Sequence, residues 1–170
     1  MTDILPFSEI IRLNEIGSGL SRQLRPDGET RMKIARALDL ASLDAFEAEV
    51  QVAPARAGWT LSGRVTADAV QTCGLTLEPL PVRIDERFEI ALVEADEPVE
   101  GEELEITLDD NAPDVVEDGR IDLGQYAVEQ LALTLDPFPR KPGAEFVQPD
   151  EPAEISPFAV LKAFRASDES

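Results

Sequence analysis

The sequence predicts an α+β fold: a twisted antiparallel sheet of five to seven strands and two main helices. The alternative is that this sheet curls into an open barrel. Apolar residues make up 43 % of the 170 residues, which is enough for a core. Several segments alternate apolar and polar residues, as strands do, and two others have helical spacing behind a capping residue. We expect one domain over residues 1–146 and a weakly ordered tail over 147–170.

The first half of the chain predicts a strand and then a hairpin. Residues 7–13 alternate as in a half-buried strand. Residues 44–53 alternate strictly, and Ala57 with Gly58 predicts a turn. Residues 59–65 then form the return strand of the hairpin. Its apolar face carries Trp59, which we expect to pack in the core rather than to stack on nucleic acid.

A second group of strands is predicted after the hairpin. One strand begins near Val70, and residues 76–81 form a connection because they hold two prolines. The clearest alternation in the chain then runs from Val82 to Val93. Glu86 alone interrupts its apolar face, which favours a position at the edge of the sheet.

Two helices are predicted from caps and spacing. Asp27 or Thr30 caps the first, and Asp122 caps the second, which runs from Leu123 to about Leu135 and stops at Pro137. Their apolar faces contain Met32, Ala35 and Leu38 in the first helix, and Tyr126, Ala127, Leu131 and Leu135 in the second.

Charge is distributed unevenly along the chain. The formal net charge is −20, yet residues 20–37 carry five Lys and Arg against two acidic residues. Residues 94–119 carry twelve acidic residues and no Lys or Arg, and we expect an acidic loop there. Within this loop, short strands are predicted at Leu104, Ile106 and Leu108, and at Val115 and Val116. In the tail, residues 157–166 predict a short helix whose apolar stripe docks on its own domain or on a partner; the stripe contains Phe158, Leu161 and Phe164.

Composition excludes several classes of function. Without His, the chain cannot perform Ser-His-Asp or Cys-His catalysis, and with a single Cys it has neither an internal disulfide nor a Cys/His zinc site. The longest run without a charged residue has nine residues, far short of the roughly 20 that a membrane helix needs. Since the start of the chain also lacks a signal-peptide pattern, we expect a cytoplasmic protein with no membrane partner.

Two glycine- or acid-containing motifs fail on inspection. Gly17-Ser18-Gly19 lacks the third glycine of a dinucleotide loop, because Arg22 stands there. The segment from Asp114 to Gly119 lacks two ligands of a calcium loop, because the third position of the loop is Val116 and the twelfth is Gln125. Loose binding of divalent cations by the acidic loop is the alternative to a solvated loop. We therefore predict no metal, no cofactor and no catalytic residues. A carboxylate-and-metal hydrolase is the most distant alternative.

The charge favours basic partners. A chain at −20 repels phosphate backbones, so we expect no DNA binding and no coating of RNA. Basic proteins or basic tails are attracted, although solubility alone would also account for the charge.

Cys73 and the residues after it carry a resemblance. The run Cys73-Gly74-Leu75-Thr76-Leu77-Glu78-Pro79, with the alternating strand that follows, resembles the YceD family, the large ribosomal RNA subunit accumulation proteins. Many members have a C-x-R-C-L-x-P-like element, in which Cys73, Leu77 and Pro79 match and Thr76 replaces the second Cys. A Cys-x-x-Cys metal or redox role is therefore absent. By itself, Cys73 is interpreted as a small, half-buried apolar residue, with Arg83 the nearest cation after the turn.

A second block strengthens the resemblance. The run Glu129-Gln130-Leu131-Ala132-Leu133, together with the run from Asp136 to Gly143, is similar to the form seen in alphaproteobacterial members. The second run includes Pro137, Pro139 and Arg140. The ending from Pro157 to Leu161 is similar to the family ending. The resemblance covers residues 5–166 and implies a non-enzymatic role in accumulation or processing of large-subunit ribosomal RNA.

Combined with the charge, the resemblance implies an assembly factor that binds a basic large-subunit ribosomal protein or a pre-ribosomal particle. The alternative is an acidic chaperone for a basic protein without a ribosomal role. The candidate acidic contacts are Glu100, Glu102, Glu103, Asp109 and Asp110. The candidate local RNA contacts are Arg22, Arg25, Arg140 and Lys141, for which solubility or internal pairing is the equal alternative.

Overall fold

The computed structural model describes residues 6–95 and 112–145, and all structural statements concern these ranges. The predicted strand at 104–108 and the predicted tail helix lie outside them. The strands are β1 (Ile10–Arg12), β2 (Leu20–Leu24), β3 (Ser42–Pro54), β4 (Trp59–Thr72), β5 (Pro79–Glu94), β6 (Asp114–Val116) and β7 (Arg120–Asp122). The helices are α1 (Gly28–Ala37) and α2 (Leu123–Thr134), and a 3-10 turn spans Leu13–Glu15.

The described strands form two sheets. The larger has the order β2-β3-β4-β5-β6, and the smaller pairs β1 with β7. All pairs are antiparallel except β5 and β6, which are parallel, so the larger sheet is mixed. The predicted α+β class with one main sheet and two helices is confirmed. Within the described residues the sheet does not close on itself, because β2 and β6 lie at its two edges.

The predicted hairpin is confirmed as β3 and β4. Their inward positions are buried, and the turn ends at Gly58, whose φ of +82° favours glycine. The strand predicted to begin near Val70 is instead the continuation of β4, which pairs with both neighbours through this region. Alternation is weak there because its inward positions are Ala67 and Ala69, which are small and fully packed in the core.

The long strand β5 has the predicted alternation. Ile84 and Leu92 are buried on its apolar face, whereas Glu86 is exposed. Pro79 and Pro81 belong to the start of β5 rather than to the connection before it, and they pair with β4. Prolines are tolerated there because no described strand pairs with the other side of β5 until Leu92.

Glu86 protects this open edge. A charged side chain on the apolar face of an edge strand opposes pairing with another molecule. We expect Glu86→Val to cause concentration-dependent association, measurable by light scattering or sedimentation. Arg87→Val, on the polar face of the same strand, is the matched control. Equal association of the two variants would contradict a specific role for Glu86.

Two features of the first half differ from prediction. Strand β2 was not predicted, because only its end residues are apolar and its middle is exposed.

In α1, Asp27 is the cap, and its carboxylate accepts the Thr30 N–H at 2.8 Å. The apolar face is centred on Ile34 and Ala35, whereas Met32 is 66 % exposed, so its predicted burial is wrong. Only contact with β3 selects which side of a short helix is covered.

Helix α2 agrees with its prediction. Asp122 caps it by accepting the backbone N–H groups of Gly124 and Gln125. The same carboxylate accepts the Glu9 N–H at 2.8 Å, so the N-terminal strand is fixed to the start of α2. Ala127 and Leu131 are fully buried on the face that covers the sheet. Helix α2 ends at Thr134, and the segment that follows it lies beside the turn between β4 and β5.

Candidate functional site

The two sequence blocks that carry the resemblance contact each other. The turn after β4, residues 73–78, lies against residues 136–143, which follow α2. The Gly74 N–H donates to the Pro139 carbonyl at 2.9 Å, and the Gln71 side-chain amide donates to the Asp136 carbonyl at 2.8 Å. The Lys141 ammonium lies 2.8 Å from the Glu78 carboxylate. We call this contact region the motif junction.

Cys73 lies inside the motif junction. It is fully buried, not half-buried as predicted, and its Sγ accepts the backbone N–H groups of Lys141 at 3.3 Å and Thr76 at 3.4 Å. Hydrogen bonds from the Thr76 side chain and from these two N–H groups lower the pKa of the Cys73 thiol to about 6, although burial acts in the opposite direction. Arg83, the nearest cation after the turn, is not among these partners. The backbone N–H of Lys141, 68 positions away, is one of them.

This lowered pKa makes stability depend on pH. Because the folded thiol ionises near pH 6 and an ordinary thiol near 9.0, the folded state releases its proton first. The contribution of this ionisation to stability is complete above pH 9 and is lost as the pH falls through 6. The free energy of unfolding should therefore rise as the pH increases from 6 to 9. The chain has no His and a single Cys, and the ordinary pKa values of its other side chains lie outside this window.

We expect Cys73→Ser to flatten this rise. Denaturant unfolding of both proteins under reducing conditions, at intervals from pH 6 to 9, measures the slope. Thr134→Ser, a similarly conservative change in α2, is the control. Parallel pH profiles of wild type and Cys73→Ser would contradict an ionised thiol at the junction.

Leu77 has an unusual environment for leucine. Its φ is +59°, a left-handed conformation that is disfavoured for residues with a Cβ, and it is 77 % exposed. Neither backbone geometry nor burial therefore requires leucine at this position. Strained residues of this kind concentrate at functional sites, so Leu77 is a candidate contact residue.

A groove of about 500 Å³ opens beside the junction. Its walls come from the end of α1, the turn after β4, the last turn of α2 and the segment after α2. The apolar lining includes Leu38, Leu75, Ala132, Leu135 and Phe138. Such a volume fits a small ligand or a few side chains.

The four predicted cationic contacts do not converge. Arg25 pairs with Glu47 at 2.8 Å, and Lys141 is occupied by Glu78. Arg22 and Arg140 are exposed, and neither forms an ion pair with a described residue. Arg22 lies on the edge strand β2, whereas Arg140 lines the groove.

Acidic groups gather at the opposite end of β5. Glu94 ends β5, and Asp114 begins its parallel neighbour β6. Burial, and then the carboxylates of Asp114 and Asp122, raise the pKa of Glu129 on α2. The five predicted acidic contact residues lie in 96–111, outside the described residues, but the chain leaves and re-enters the fold at this acidic end.

The sequence did not predict Glu129 or Glu78 as site residues, and it did not predict the groove. Glu129 lies near Asp114 because β6 pairs in parallel with β5, and Glu78 contacts Lys141 although they are 63 positions apart. No pattern in the neighbouring sequence indicates either of these contacts. Among the described residues, no group of three or more His, Cys, Asp or Glu is arranged to hold a metal ion. None of the described helices combines the length and apolar character needed to cross a membrane.

Comparison with known proteins supports the motif-based resemblance. Neither the curated proteins nor the solved structures contain a match to the chain. Residues 61–165, more than half of the chain, match the family described as large ribosomal RNA subunit accumulation protein YceD. This range includes most of β4, all of β5 and α2, and both blocks of the motif junction. The chain therefore belongs to the YceD family, whose description implies a role in accumulation of large-subunit ribosomal RNA.

Proposed function

We propose that this protein supports large-subunit ribosomal RNA accumulation in the cytoplasm as a non-enzymatic assembly factor. It binds a basic large-subunit ribosomal protein, either free or within a pre-ribosomal particle. Family membership supports the process, and the negative charge supports the kind of partner. The single observation that carries the choice of partner is the uncompensated acidic end of the sheet.

The acidic end is suited to a cationic partner. Burial, and then repulsion by the carboxylates of Asp114 and Asp122, raises the pKa of Glu129. Between Glu94 and Asp114, residues 96–111 add eight acidic residues and no Lys or Arg. A basic segment bound there would relieve this repulsion, whereas an RNA backbone would increase it.

Most of the excess negative charge is carried by residues outside the described ranges. Residues 6–95 and 112–145 contain 13 Lys and Arg against 21 acidic residues, while the rest of the chain contains two against 14. On the polar face of the sheet, cross-strand pairs such as Arg64 with Asp85 neutralise much of the charge. The electrostatic attraction therefore comes mainly from the acidic stretch and the end of the sheet that bears it.

Direct RNA contact has a smaller part in this proposal. Arg22 and Arg140 have the freedom to meet phosphate, whereas Arg25 and Lys141 would first have to leave their carboxylate partners. Two separated arginines supply little of the cationic contact that RNA affinity requires. They are proposed as local contacts within a particle that the acidic end has already bound.

Sucrose-gradient fractionation of cell extract, with crosslinking, tests the proposal. The protein should travel with immature large subunits, and its crosslinks should lie on a basic subunit protein. Tight binding to bare ribosomal RNA at physiological salt, without binding to any basic subunit protein, would overturn the proposal.

The second candidate, an acidic chaperone for a basic protein, rests on the same acidic end. Under this alternative the protein would bind one purified basic protein and would not enter any particle fraction. Family membership favours the ribosomal role.

A further inference from the structure

The groove at the motif junction presents an unusual amount of apolar surface. Its apolar lining includes Phe138, which is 77 % exposed, and the segments that form the groove carry two further exposed apolar side chains, Leu77 and Leu133, each also 77 % exposed. Exposed apolar surface at a groove marks a contact site. The charged side chains that line the groove are two carboxylates, Asp39 and Asp136, and one cation, Arg140.

We propose that residues 157–166 of this same chain dock in the groove as a short helix. Phe158, Leu161 and Phe164 are spaced three residues apart, so they share one side of a helix. These three side chains would fill the groove against Leu75, Leu135 and Phe138. This proposal is independent of the proposed function.

Chain length makes the docking feasible. Glu145 is the last described residue, and it follows the groove residue Arg140 by only five positions. Eleven residues, 146–156, connect it to Pro157, and an extended chain of this length reaches about 36 Å. A tether this short holds its segment at a millimolar effective concentration, which favours it over a free partner.

Charge and family membership both support this occupant. Residues 157–166 contain Lys162 and Arg165 and no acidic residue, although the chain as a whole is strongly acidic. This segment therefore complements Asp39 and Asp136. The family match covers residues 61–165, so it includes both the later groove residues, from Gln71 to Arg140, and the segment up to Arg165.

Hydrogen exchange and methyl NMR on the full chain test the proposal. We expect protected amides in 157–166 of the wild type. Leu161→Asp should raise their exchange on the order of tenfold or more and shift the methyl resonances of Leu75 and Leu135. Ala159→Asp adds the same charge to the opposite side of the helix, so it should do neither.

A substitution in the groove gives the reciprocal test. Phe138→Ser removes a side chain that the described fold leaves exposed, so it should release 157–166 and lower the Tm of the domain no more than Leu161→Asp does. Met32→Ser, at an exposed apolar position on α1, is the control. Exchange in 157–166 at unstructured-peptide rates in the wild type, or unchanged groove resonances in Leu161→Asp, would overturn the proposal. Protection that disappears on dilution would also overturn it, because it would indicate docking of a second copy.

Discussion

Neutralising the acidic stretch should release this protein from large-subunit precursors. The variant replaces Glu100, Glu102, Glu103, Asp109 and Asp110 with the matching amides, which changes the net charge from −20 to −15. Exposed ion pairs contribute roughly 0.2–1 kcal/mol each, so the loss of five, about 1–5 kcal/mol together, should weaken association by at least about fivefold. The wild-type interaction should weaken in the same direction as salt rises, because the screening length falls from about 10 Å at 0.1 M to about 3 Å at 1 M.

The tail provides a matched control. It also contains five acidic residues, namely Asp150, Glu151, Glu154, Asp168 and Glu169. Their replacement by amides changes the net charge equally but leaves the acidic end of the sheet intact. Co-sedimentation of both variants with precursor particles, across a salt series, compares them. If the two variants weaken association equally, or neither does, the acidic stretch is not the contact.

The largest expected effect on stability comes from Gly63, in the middle of β4. A Cβ added there would lie 2.6 Å from the Glu49 carbonyl oxygen and 2.8 Å from the Phe88 ring. Both distances are too short for a side chain, so β3 or Phe88 would have to move. We expect Gly63→Val to destabilise the fold by about 2–4 kcal/mol, a large part of the roughly 5–15 kcal/mol that stabilises a domain.

Strand propensity predicts the opposite sign, which makes this test discriminating. Valine favours strands more than glycine does, so without the close approach Gly63→Val would stabilise the sheet. Ser62→Val, on the polar face of the same strand, is the control and should change stability little. Denaturant unfolding of both variants measures the difference. Equal stability of the two variants would contradict the prediction, because it would show that the Phe88 ring packs equally well when residue 63 carries a side chain.

The prediction of β5 succeeded because its alternation spans a long segment. Ile84, Phe88 and Leu92 recur on one face without any need for information from elsewhere in the chain. The cap of α2 is equally local, since Asp122 binds the backbone N–H groups two and three residues ahead. The family motifs are contiguous runs of residues and are readable for the same reason.

The prediction of α1 failed where two sides of a short helix are similar. Met32 and Ile34 are both apolar, and only contact with β3 decides that Ile34 is buried. The parallel pairing of β6 with β5 also has no local signal, because residues 114–116 are too few to display a pattern. Their partner is chosen by the fold around them.

The sequence by itself determined the α+β class, the main hairpin, the strand β5, the capped helix α2 and the family, because each depends on neighbouring residues or on periodicity along one element. The tertiary structure alone decided that the two family blocks form one junction, that Cys73 is held there by the Lys141 N–H, and that Leu75 and Phe138 line one groove. These relations join residues more than 60 positions apart, and their geometry depends on how α2 lies across the sheet. Local patterns carry no information about that arrangement, since many packings satisfy the same periodicity.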